Sequence, residues 1–176
     1  YDTRNRNLLK TRNALLLKFL YLTAARRSEA ANLKWGDLQQ DGEFQVVILK
    51  QTKSGEPQKL KLRRELFEEL ECWNETLKAN QIECEWVFPS LSFRTLGGKM
   101  SGKGVNDVVS KLGSAIGLKI SAHYLRHTAI TLALELGEPL QKVQSYARHA
   151  SANTTIRYFH DQQFLEKNPT DRLPMI

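Results

Sequence analysis

Two histidines and an arginine fall within five residues of the stretch S-A-H-Y-L-R-H-T-A-I: His123, Arg126 and His127. Ala122, Leu125, Ala129 and Ile130 surround them with the apolar pattern of a largely buried helix. Residues three apart on a helix share a face one turn apart, so His123 and Arg126 would aim at one point. His127 is turned about 100° from Arg126. A guanidinium is planar, permanently charged and able to give two parallel hydrogen bonds, and an imidazole exchanges its proton near neutral pH. Such a pair is suited to an anion. The plainer reading is a half-exposed helix face with a stacked imidazole and a solvated arginine.

Four other places hold phosphate-seeking side chains. Arg26, in T-A-A-R-R-S-E, lies at the turn before a helix that begins near Ser28. Lys53, in T-K-S-G, lies at the tip of a hairpin. His149 follows a helix end in Y-A-R-H-A-S, and Tyr158 comes nine residues later in T-T-I-R-Y-F-H. Singly, each has a structural reading. Arg26 pairs with solvent beside Arg27, Lys53 discourages edge pairing, His149 caps a helix, and Tyr158 is a core aromatic with a wet hydroxyl. As a set they answer the needs of phosphodiester chemistry. An in-line transition state concentrates charge on the non-bridging oxygens, and fixed donors there are the main help when no metal takes part. Arg26 and Arg126 would supply a clamp from two elements, with His123 and His149 as further donors or as acceptors of a hydroxyl proton.

In this order the segments resemble the catalytic domain of the tyrosine recombinases, the phage-integrase family. The family's T-G-x-R-x-S-E-x-x-x-L-x-W-x-D block is matched by Thr23, Arg26, Ser28, Glu29, Leu33, Trp35 and Asp37. Its H-x-L-R-H block is matched by His123, Leu125, Arg126 and His127, and its closing Gly-His and tyrosine by His149 and Tyr158, with Thr154 and Thr155 between them. The resemblance runs over roughly residues 7 to 160. It implies the tyrosine recombinase catalytic-domain fold and site-specific DNA strand cleavage and rejoining through a 3′-phosphotyrosine, without metal or cofactor. It implies Tyr158 as nucleophile, Arg26, His123, Arg126 and His149 around the phosphate, and Lys53 as the acid that protonates the departing 5′ oxygen, with Lys50 and Lys59 as neighbouring candidates. Glu29, one turn after Arg26, would orient the basic residues, and Lys50, Lys103 and Arg148 would contact DNA. The implied partners are double-stranded DNA and further recombinase subunits in a tetrameric synapse, with the isolated domain a monomer and no membrane involved. A bacterial or phage-encoded cytoplasmic protein is expected. Two positions depart from the pattern: Ala24 and Arg148 stand where the family has glycine, a residue suited to left-handed turns. Alternatives within the same chemistry or fold are a type IB topoisomerase-like nicking-closing enzyme and a catalytically silent DNA-binding regulator.

The elements that must position these residues follow from patterning. The 176 residues fit one domain with a real core, and 41% apolar with 26% charged is an ordinary globular balance. Leucines and Phe19 dominate a helix over 7–22, and a second helix opens at Ser28. Phe44 to Leu49 and Gln58 to Leu62 read as an antiparallel hairpin. Helices are expected over 63–79, 105–116, 122–136, 139–147 and 152–160, with 91–104 a loop. The sum is a mainly α chain with a small antiparallel β-sheet, an α+β fold. Residues 1–176 read as one catalytic domain whose N-terminal core-binding partner domain lies outside a chain that opens on Tyr1. The tail, 161–176, carries Phe164, Leu165, Leu173, Met175 and Ile176 and is expected to dock, in trans or in cis.

The formal charge of +7 is unevenly spread. Residues 50–64 hold six Lys or Arg against Glu56, residues 65–85 hold seven glutamates against Lys78, and residues 99–126 hold five Lys or Arg against Asp107. Basic segments gathered on one face would attract a polyanion. Cys72 and Cys84 have no metal-ligand spacing and read as thiols of a reducing compartment.

Overall fold

The computed structural model describes residues 3–50 and 56–148. Its elements are α1 (Thr3–Thr23), α2 (Arg27–Ala31), β1 (Leu38–Asp41), β2 (Phe44–Leu49), β3 (Gln58–Lys61), α3 (Arg64–Ala79), α4 (Gly102–Ser114), α5 (Ala122–Glu135) and α6 (Leu140–Ala147). The expected helix over 152–160, the hairpin tip and the tail lie outside the described residues. Among the described residues no helix is long and apolar enough to cross a membrane.

Leucine spacing makes α1 the central element. Leu8, Leu15, Leu16, Phe19 and Leu20 are buried, at helical intervals that keep them on one broad stripe. The acidic helix α3 turns its glutamates outward and buries Leu66, Leu70, Trp73 and Leu77. The Trp73 indole N–H donates to Val87 O at 2.9 Å, so a large aromatic is buried without an orphaned donor. Beside these helices lies a three-stranded antiparallel sheet in the order β1-β2-β3. Val47 and Leu49 point inward from its middle strand.

The buried residues form two clusters. The larger joins α1, α2, the sheet, α3 and α4. The smaller holds Ala24, Ala129, Ile130, Leu134, Val143 and Ala147, from the end of α1 and from α5 and α6. Helix α5 belongs to both, with Ala122 in the first and Ala129 and Ile130 in the second. Arg126 sits between them.

Two elements differ from the sequence reading. Strand β1, L-Q-Q-D, has no β-branched or aromatic residue, and it forms because it pairs with β2 from Leu38↔Val47 to Asp41↔Phe44 across a two-residue turn with Gly42 at φ 60°. Helix α4 begins one turn earlier than expected. Ser101 caps it, its hydroxyl accepting from Gly104 N at 3.0 Å, and the poor helix formers Gly102 and Gly104 mask this start in the sequence.

Helix α5 is placed by the loop that precedes it. Ser110 Oγ donates to Ile120 O at 3.1 Å, and Ala122 N donates to Asn106 Oδ1 at 3.1 Å. The loop packs so closely on α4 that a Cβ at Gly113 would lie 2.3 Å from Ile120 Cγ1 and 2.8 Å from Leu118 O. Gly113→Ala should therefore lower unfolding stability by about 1–3 kcal/mol, the usual cost of overpacking, in a urea titration. Gly36→Ala, where a Cβ meets nothing within 4 Å, should change it by less than about 0.5 kcal/mol.

Candidate active site at the junction of the two cores

Helix α1 ends at Thr23, and the chain leaves it through Ala24 in a left-handed conformation, φ 47°. The final carbonyls of a helix have no partner within it and carry its partial negative charge. Here α6 supplies the partners. The Tyr146 hydroxyl donates to Tyr21 O at 3.3 Å and to Leu22 O at 3.1 Å. Arg148 donates from Nη1 to Thr23 O at 3.0 Å and from Nη2 to Ala24 O at 2.8 Å. Ala24 O also accepts from Arg126 Nη1.

The end of α6 is treated the same way. Arg148 is its C-cap, in the left-handed region at φ 53° and ψ 46°. Ala147 O accepts from Arg126 Nη2, and Arg148 O accepts from Arg26 Nη2 at 3.0 Å. Both left-handed positions are those where the resembled family has glycine. The conformation costs a non-glycine residue about 1–2 kcal/mol, whereas a hydrogen bond from a charged group is worth about 1.5–3 kcal/mol, and Arg148 makes several. The side chain therefore outweighs the strain of its own backbone.

Between these two helix ends lies the Glu29 carboxylate, whose side chain is fully buried. It accepts from Arg26 N at 2.7 Å, Arg26 Nη1 at 2.7 Å and Arg148 Nη2 at 3.0 Å. Three guanidiniums thus meet one carboxylate and two helix C-termini, each worth about half a negative charge. The balance is an excess of about one positive charge. Burial pushes the Arg148 pKa down and Glu29 pulls it back up. Arg126 and Arg148 are buried, whereas the Arg26 side chain is 24% exposed.

The structure brings Arg26, Glu29, Arg126 and Arg148 together. His123 lies one turn before Arg126 on α5 and is exposed, its ring edge-on to His127 at 5.6 Å between centroids. His127 is also exposed, and its pKa is lowered by partial burial and by His123. Lys103 is exposed in the first turn of α4, next to Gly102, which packs on the Arg27 side chain. Lys50 pairs with the buried carboxylate of Asp37, and Lys59 pairs with Asp41 at 2.8 Å. Lys53, His149 and Tyr158 lie outside the described residues. Arg148, expected from the sequence to reach DNA, points inward with a 2% exposed side chain, its two terminal nitrogens taken by backbone carbonyls and Glu29. Tyr146 escaped the sequence reading. Its phenol is committed to α1, and burial pushes its pKa up to about 12.

A sequence model described as the phage integrase family matches residues 1–164. A tyrosine recombinase of Synechococcus elongatus is 31% identical over 173 residues, which cover 96% of this chain and 53% of that protein. The tyrosine recombinase XerA of Pyrococcus horikoshii is 32% identical over 147 residues, 84% of this chain and 50% of its own. The chain spans about half the length of these relatives. Among solved structures, the XerH recombinase on a palindromic difH substrate, a post-cleavage complex, superposes with a TM-score of 0.73 at 24% identity, covering 94% of this chain and 50% of that one. A XerA recombinase superposes with a TM-score of 0.73 at 22% identity, covering 100% and 65%. The fold is that of a tyrosine recombinase catalytic domain.

Removing the Glu29 charge leaves Arg148 buried without its counter-ion. Glu29→Gln should cost about 3–5 kcal/mol of unfolding free energy, the range for breaking a buried pair, as read by urea denaturation. Arg27→Ala, an exposed neighbour, should cost less than about 0.5 kcal/mol.

Proposed function

Because the chain belongs to the phage integrase family, we propose that it cleaves and rejoins double-stranded DNA at specific sites, without metal, through a phosphotyrosine. The observation that carries this reading is the guanidinium cluster at the junction of the cores, with its excess of about one positive charge. A single phosphodiester carries one negative charge, and Arg26 and His123 offer it the exposed side of the cluster.

In this reading the Tyr158 phenolic oxygen attacks phosphorus. An O–P bond to tyrosine forms as the P–O5′ bond breaks, leaving the DNA 3′ phosphate on the protein. The phenolic proton passes to His123 or His149, and Lys53 protonates the departing 5′ oxygen. Arg26 and Arg126 stabilise the charge that builds on the non-bridging oxygens. The pairing of Lys50 with Asp37 and of Lys59 with Asp41 favours Lys53 as the acid, since its two neighbours are already engaged. Tyr146 is excluded as nucleophile by its half-buried hydroxyl, whose one proton is shared between two carbonyls, and by a pKa pushed up to about 12.

Lys103 contacts the DNA backbone from the α4 N-terminus. In this reading the isolated domain is a monomer, further subunits join it on DNA in a tetrameric synapse, the 161–176 tail docks in trans or in cis, and the protein acts in the cytoplasm. An N-terminal core-binding domain completes the grip on the duplex. The relatives' own substrates agree with this class: the XerH structures hold difH DNA, and lambda integrase was solved on a COC′ core site.

A nicked suicide duplex mixed with the protein in excess chelator should give a covalent adduct. Tyr158→Phe should abolish it while leaving DNA affinity within about twofold, and Tyr146→Phe should retain it. Arg26→Ala should slow adduct formation by about 10²–10³-fold, as for loss of one oxyanion donor, and Arg27→Ala far less. A strict requirement for magnesium, or an adduct that survives Tyr158→Phe, would overturn the assignment.

A further inference from the structure

We propose that Arg148 is a positioning residue for strand cleavage, holding Arg26 and the chain entering His149 in one geometry; this role rests on the function proposed above. The observation is a closed ring of hydrogen bonds. Arg26 Nη1 donates to Glu29 Oε1 at 2.7 Å, Arg148 Nη2 donates to Glu29 Oε2 at 3.0 Å, and Arg26 Nη2 donates to Arg148 O at 3.0 Å. Arg148 supplies two of the three links, one from its side chain and one from its backbone. Both terminal nitrogens of Arg26 are thereby fixed, one on each side of the ring.

The same residue ties two elements together. Its side chain is anchored on Thr23 O and Ala24 O, at the turn that leads into Arg26, while its peptide continues directly into His149. A glycine at this position would adopt the left-handed backbone without strain, yet would supply none of these side-chain bonds. The arginine therefore adds a function that the turn itself does not need. It couples the α1–α2 turn to the C-terminal end of α6. Burial keeps the guanidinium from touching DNA, so its influence on the reaction passes through Arg26, Glu29 and the backbone before His149.

Arg148→Gly separates these roles, because it removes the guanidinium and relieves the backbone at once. Three quantities are measured on the 176-residue chain: single-turnover adduct formation on the nicked suicide duplex, DNA affinity at several salt concentrations, and amide exchange followed by mass spectrometry. Positioning predicts that cleavage slows by about 10²-fold, the scale of a displacement near 1 Å at a reacting centre. DNA affinity and its salt dependence should stay within about threefold of wild type. Exchange should rise together in 21–29 and 144–148 and stay unchanged in α3, which also reports that the variant is folded. Arg148→Lys, which keeps the charge but not the fork, should recover part of the rate.

A uniform loss of affinity with a salt slope smaller by about one would instead mark Arg148 as a phosphate contact and overturn the proposal. Cleavage within about threefold of wild type would overturn it as well, leaving Arg148 a purely structural cap. If the wild-type chain itself forms no adduct, the strand-cleavage reading fails, and this role fails with it.

Discussion

The C-terminus of α1 sets the terms for the rest of the site. A helix that ends inside a protein leaves carbonyls that must find donors. Four consecutive carbonyls, Tyr21 to Ala24, are served by side chains of Tyr146, Arg148 and Arg126. That requirement brings α5 and α6 onto the end of α1 and creates the smaller core around Ala24, Ile130 and Val143. It also explains why charged groups are tolerated there. An arginine buried among apolar side chains is costly, but one buried on carbonyl oxygens at the negative end of a helix is solvated by the protein.

The proposed function draws on the surplus of the same arrangement. Two helix ends and Glu29 account for about two of the three positive charges, and the remainder faces the exposed side through Arg26. The donors are therefore held by interactions that exist before any substrate arrives. Preorganisation of this kind lets charged groups stabilise a transition state without reorganising when it forms.

Much of this was legible in the sequence. The leucine stripe of α1 and the β-branched run of β2 announced their elements, and Glu29 could be placed near Arg26 from a three-residue spacing. What could not be read was where Arg126 and Arg148 point. Their partners are mostly backbone carbonyls of Thr23, Ala24, Tyr146 and Ala147, and a backbone acceptor has no residue type to betray it. Strand β1 was hidden for a related reason, since its stability comes from its neighbour and not from its own L-Q-Q-D. The glycine-rich start of α4 concealed only its first turn, which Ser101 caps from outside.

The dependence of Arg148 on distant backbone also limits how this domain can exchange parts with its relatives. A residue that only shapes a turn can be carried with its helix into another protein. Arg148 cannot travel so freely. Transplanted with residues 140–148, it would need a carboxylate placed as Glu29 is and open carbonyls placed as those of Thr23 and Ala24 are. Received without them, it would be a buried cation with nothing to answer it. The segments around residues 24 and 29 on one side and 148 on the other thus work as a unit, although more than a hundred residues of chain separate them.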